Sequence, residues 1–166
     1  MPEFIFSSDF FIHCTIYCVL FMIVIAPIGF INPRIMLQDY PKEIQNAVPP
    51  KTGHEQAMMI WFAIPMIVIM LGYPAVIGWI NRPAGASFQY FFLVAWSMML
   101  FFNLFDLIVL DLIMFCAITP RFIVIQGTEG NAGYKNYRFH FLGFLKGIAF
   151  TSFAAVTLAG FLTLLN

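Results

Sequence analysis

Four stretches of this sequence, 10–31, 57–80, 88–118 and 143–165, are long and almost wholly apolar. A helix that crosses the ~30 Å hydrocarbon core needs about 20 such residues. Inside lipid each backbone N–H and C=O must be satisfied within the protein, which leaves helices or a closed barrel. Runs of this length without alternation are helical, so the chain is expected to be an all-α polytopic membrane protein. Its architecture is a four-transmembrane-helix bundle forming one domain over 1–166. Composition agrees: 61% of residues are hydrophobic and 10% charged, against about 25% charged in soluble domains. The first run reads as a span and not a signal peptide, because no Lys or Arg stands between Met1 and Asp9. The third run exceeds what a straight crossing needs, so it is expected to tilt or protrude.

Punctuation supports these limits. The first three spans run out through Ile31-Asn32-Pro33-Arg34, Ile80-Asn81-Arg82-Pro83 and Ile118-Thr119-Pro120-Arg121. Proline cannot continue a helix and pushes its predecessor out of α geometry. Thr52 and Glu55 have capping-box spacing before the second span, and Ser87 is placed to cap the third. Arg34, Lys42 and Lys51 fall in the first connection, and Arg121, Lys135 and Arg138 in the third, with Lys146 close behind. The opposite side has only Arg82. The positive-inside bias therefore predicts cytoplasmic long connections and both termini outside.

Lipid gives helices no hydrophobic reason to associate, so close contact of small residues has to do it. Gly143, Gly147, Thr151, Ala155 and Ala159 recur every fourth position and predict a packing stripe on the last span, expected to seat against a neighbour within the chain. Pro65 and Pro74 each remove a backbone donor inside the second span and are expected to kink it.

Acids at membrane depth are expensive and mark an interior or wet face. The third span carries Asn103, Asp106 and Asp111. At α-helical spacing the two aspartates diverge by about 140°, which predicts a broad polar arc and not a shared-proton pair. Depth matching brings Lys146 within reach of Asp111, with Thr151 donating to the same carboxylate, and Arg121 and Arg138 are alternatives nearer the surface. Asp106 has no cation at its level and is the candidate for binding a proton or substrate. A second group, Glu129, Tyr137, Arg138 and His140, lies in the Gly-rich third connection and the start of the last span, where basic groups gather anionic headgroups.

No metal or cofactor is expected. His13, Cys14 and Cys18 are too few ligands, and His54-Glu55 lacks the second histidine of a zinc-protease motif. A net charge of zero gives no footprint for nucleic acid. The expected partners are membrane lipids and either further copies of the chain, as a homo-oligomer, or a membrane partner protein.

The stretches from Thr119 to Gly130, Tyr134 to Phe141 and Gly143 to Gly147 resemble a group of uncharacterised small bacterial four-helix integral membrane proteins. The resemblance implies a multi-pass protein of the bacterial inner membrane and assigns no activity. The arginine-rich signature of the membrane enzymes of glutathione and eicosanoid metabolism is missing. One Asn103/Asp106/Asp111 cluster, without a second, does not make an intramembrane prenyltransferase. The residues thus point first to small-molecule or ion transport, or a channel, with Asp106 binding a proton or cation, and to a homo-oligomer, since four helices are few for a pathway. A cytoplasmic-face lipid enzyme using His140, Arg138, Glu129 and Asp111, or a non-catalytic membrane subunit, are the alternatives.

Overall fold

A computed structural model describes residues 3–166. Helix α1 spans Ser8–Ile31, the short α2 Lys42–Gln45, α3 Gly53–Ile80, α4 Phe88–Phe105 and α5 Tyr137–Leu165. The third span continues beyond α4 as a π-helix, Asp106–Ile118. All four spans are long and apolar enough to cross a membrane, and the chain is a multi-pass, all-α membrane protein.

The spans start where side chains replace the missing intrahelical acceptors. Ser7 accepts from Phe10 N at 3.2 Å and Ser87 from Tyr90 N at 3.4 Å. Thr52 and Glu55 form the expected capping box at α3. Glu55 does more than cap. Its carboxylate pairs with Arg34 at 2.7 Å and accepts from the Asn32 amide at 3.1 Å. The end of α1 is thereby tied to the start of α3. The π-helix ends on Thr119, which sits in left-handed conformation at φ 51°. Lys135 closes that end by donating to the carbonyls of Cys116 and Ala117 and to Thr119 Oγ1, as basic side chains do at helix C-termini.

Helix α5 lies along α4, and the small-residue stripe seats within the chain. Ala155 and Ala159 are fully buried, Ala155 beside Ala95 and Met99. Gly147 meets Asn103 so closely that an added Cβ would sit 2.5 Å from Asn103 Oδ1. Trp96 Nε1 donates to Ser152 Oγ at 2.9 Å alongside. Gly143 departs from the stripe, with no atom within 4 Å of its would-be Cβ.

The half of the bundle away from the long connections is solid. Phe10, Cys14, Tyr17, Phe21, Phe91, Val94 and Met98 make its core. Pro74 leaves the Met70 carbonyl without its helical donor, and Tyr17 Oη donates to it at 3.1 Å. The half near the long connections has a separate small core. Leu37, Tyr40 and Ile44 of the first connection pack on Ile125 and Tyr134 of the third. Tyr40 Oη donates to Ile123 O at 2.9 Å, and Tyr134 Oη takes Ile125 N–H at 2.9 Å. The two connections form a folded cap, not a pair of loose loops. Helices α1 and α5 meet at most marginally, and residues of both line a cavity.

Candidate functional site

The π-helix decides where the acids point. Its i→i+5 bonding is rare and clusters at functional sites. Here it runs to the end of the span, where Thr119 N donates to Met114 O at 2.8 Å. At about 4.4 residues per turn, Asp106 and Asp111 come to lie within about 50° of one another, on one side of the helix. This corrects the divergent arc expected from α-helical spacing. In α register one acid would turn towards packed helix or lipid, where a charged aspartate costs about 2.5–3.5 kcal/mol on insertion scales. In π register both reach the cavity.

That cavity measures about 780 Å³, within the range of ligand pockets. The π-helix forms its back, α1 and α5 its sides, and the segment from Pro33 to Gln45 its floor. It reaches Met22 of α1 and Met66 of α3. Met22 is roughly 14 Å from the end of α1 at ~1.5 Å per residue, so the space extends to mid-span. Its roof is Phe102, stacked on Phe21 with ring centroids 4.0 Å apart. Above that, Tyr17 stacks on Tyr73 at 5.7 Å, and the Tyr73 hydroxyl meets His13 Nδ1 at 2.9 Å. The cavity is therefore closed towards the far side by aromatic rings. Exposed Gln38, Asp39 and Lys42 mark its mouth among the long connections.

The predicted residues divide. Asn103, Asp106, Asp111, His140 and Lys146 all line the cavity. Asp111 does not pair with Lys146. Its Oδ1 lies 2.7 Å from His140 Nδ1. The reason is the start of α5, which begins at Tyr137 and not near 143. The earlier start shifts the depth match by some six residues, about 9 Å, and brings His140 level with Asp111. Lys146 then lies deeper, beside Gly147, exposed and without an ion-pair partner among the described residues. Thr151 does not reach Asp111 either. It is buried and donates to Ile148 O at 3.1 Å, the local bond a helical threonine readily makes. Asn103 Nδ2 donates to Phe144 O at 3.2 Å and stitches α4 to α5.

Glu129, Tyr137 and Arg138 lie outside the cavity. Glu129 accepts from Gly127 N–H at 2.9 Å in a tight turn whose glycines have positive φ. Tyr137 and Arg138 are exposed on the outer surface of α5. Only His140 of that group joins the site. It is 4% exposed, and its Nε2 is covered and meets no hydrogen-bond partner. Asp106 is the other open group: its side chain has no hydrogen-bond or ion-pair partner among the described residues, though it faces the cavity.

The sequence reading missed the floor. Asp39 and Tyr40 belong to the site, and Asp39 Oδ2 accepts from Gln38 Nε2 at 2.8 Å. A signal was present. Ile35, Leu37 and Tyr40 are large apolar residues between Pro33 and Pro41, with Ile44 just beyond, too apolar for a solvated loop. Among the described residues no cluster of His, Cys, Asp and Glu has a metal-holding arrangement.

No protein-family model, curated protein or solved structure matches the chain.

Proposed function

We propose that this protein is a carrier that takes a small amphiphilic solute into the cavity between α1 and α5 and couples its movement to a proton on Asp106. One observation carries the reading: a carboxyl at membrane depth faces a sizeable cavity with no protein partner. An unpaired intramembrane acid in that setting ordinarily serves proton or substrate binding. The cavity has a mouth at the long connections and an aromatic roof, the form of a carrier open to one side. By the distribution of Lys and Arg that side is cytoplasmic, in the inner membrane of a bacterium, with both termini outside. The cavity is complete within one chain. A homo-oligomer would be an assembly of whole carriers.

The other readings find less support. A lipid-acting enzyme would need His140 as acid–base group with Arg138 and Glu129 beside it. The Nε2 of His140 is covered, and the other two lie outside the cavity. A passive scaffold would satisfy its polar groups internally, and Asp106 is left unsatisfied.

Purified chain in liposomes with an entrapped pH-sensitive dye tests the carrier. With cationic, neutral and anionic amphiphiles offered in turn under an imposed pH gradient, solute-dependent proton flux above that of empty liposomes is expected with at least one of them, and its loss in Asp106→Asn. Absence of flux, or flux unchanged in that variant, removes the reading.

A further inference from the structure

We infer that the solute is a lipophilic organic cation and that it reaches Asp106 partly from the bilayer. The inference rests on the carrier reading for its purpose, though binding alone tests it. Three carboxylates face the cavity, those of Asp39, Asp106 and Asp111. Two ammonium groups oppose them. Lys42 is engaged with Gln45 Oε1 at 2.9 Å, and Lys146 is exposed on the rim. His140 is already taken by Asp111. Asp39, Lys42 and Lys146 are exposed at its borders, so the half-buried charge without a partner is that of Asp106.

The walls fit the same class. Phe102 precedes Asp106 by one helical turn on the same face, and Phe115, Phe139 and Phe144 also border the space. Aromatic faces attract cations, most strongly where water is displaced. Met22 and Met66 line the deep end; flexible, polarizable methionines accept apolar ligands of varied shape. An inorganic cation would find no cluster of ligands arranged to hold it among the described residues. An organic cation finds a counter-ion, rings and apolar surface together.

Access from lipid follows from the packing. Helices α1 and α5 meet at most marginally, and the cavity is bordered by Ala26 and Gly29 on one side and by exposed Leu142 and Gly143 on the other. The Phe122 ring closes the Gly29 end, 2.8 Å from where a Cβ there would stand, whereas nothing lies within 4 Å of the same point on Gly143, so a solute dissolved in the hydrocarbon enters past Ala26 and Gly143. Lys146 stands on this rim as a like charge. Removing it is expected to help a cation and hinder an anion.

The test uses two ions of nearly one shape and opposite charge. Tetraphenylphosphonium and tetraphenylborate are titrated into the full chain in lipid nanodiscs, with protein-free nanodiscs as the partition blank. Saturable binding of tetraphenylphosphonium at one site per chain is expected, without saturable binding of tetraphenylborate. Asp106→Asn should weaken the phosphonium by about 10- to 100-fold, the order of a counter-ion several ångströms away at an effective dielectric of about 20, and Lys146→Gln should tighten it. Equal or tighter binding of tetraphenylborate overturns the inference. So does phosphonium binding that Asp106→Asn leaves unchanged in protein that elutes and melts like the parent. If that variant does not fold, the contrast of the two ions on the unaltered chain decides. Phosphonium bound but carried into proteoliposomes no faster than into empty liposomes leaves this inference standing and removes the carrier. Proton flux dependent on Asp106, with no phosphonium bound, does the reverse.

Discussion

His140 Nδ1 and Asp111 Oδ1 lie 2.7 Å apart, and this contact joins the first turn of α5 to the middle of the π-helix. The imidazole is almost wholly buried, with its other nitrogen unpartnered. The carboxylate fixes the tautomer, holding the proton on Nδ1. Both residues need the contact, since either alone would be a polar group at depth.

A double-mutant cycle measures its worth. Asp111→Ala, His140→Ala and the double variant are compared by thermal unfolding in detergent. A coupling of about 1.5–3 kcal/mol is expected, as for hydrogen bonds to charged groups. Additive single effects would mean that the contact does not hold the helices together.

Two glycines four residues apart on α5 should behave oppositely. Gly147→Ala places a methyl group 2.5 Å from Asn103 Oδ1 and is expected to cost about 1–3 kcal/mol by overpacking. Gly143→Ala meets nothing within 4 Å and gains helix propensity, so it should be neutral or mildly stabilising. Unfolding of both variants in the same detergent checks the pair. Equal losses would contradict the packing of α5 on α4.

Much of this arrangement was legible in the residues, and the parts that were not have identifiable causes. Span number, the capping box at Thr52 and Glu55 and the stripe from Gly147 to Ala159 follow from hydropathy, spacing and side-chain size, which are local. The pairing of Asp111 was not legible, because it depends on where α5 begins. The stretch around Tyr137 and Arg138 is amphipathic enough to read as interface, so the helix start was set too late and Lys146 was matched in place of His140. The π-helix was also hidden. Apolar residues fill the segment from Leu107 to Ile118 in either register, and only the depth cost of two acids favours the wider turn. The floor was readable in principle from Ile35, Tyr40 and Ile44. Their partners Ile125 and Tyr134 are distant in sequence, and no local pattern joins them.

Tyr17 and Pro74 make a further cycle. The Tyr17 hydroxyl serves the Met70 carbonyl that Pro74 leaves free. Tyr17→Phe should cost about 1 kcal/mol in the parent chain. In a Pro74→Ala background the new backbone N–H can take that carbonyl, and the same change should cost less. Thermal unfolding of the four proteins reads the difference, and an equal cost in both backgrounds would show that the hydroxyl does not replace the missing helical donor.

The central claim is that Asp106 stands in a water-reachable cavity at membrane depth, and thiol accessibility tests it most directly. Cys14, Cys18 and Cys116 are replaced by alanine, and Asp106→Cys, Gln38→Cys and Met98→Cys are introduced singly. Gln38 lies at the mouth and Met98 is fully buried. Each protein, in nanodiscs, is treated with a charged, membrane-impermeant methanethiosulfonate and followed by mass. The cysteine at 106 is predicted to react at a rate approaching that at 38, with the cysteine at 98 inert. A cysteine at 106 as unreactive as that at 98 would contradict the account.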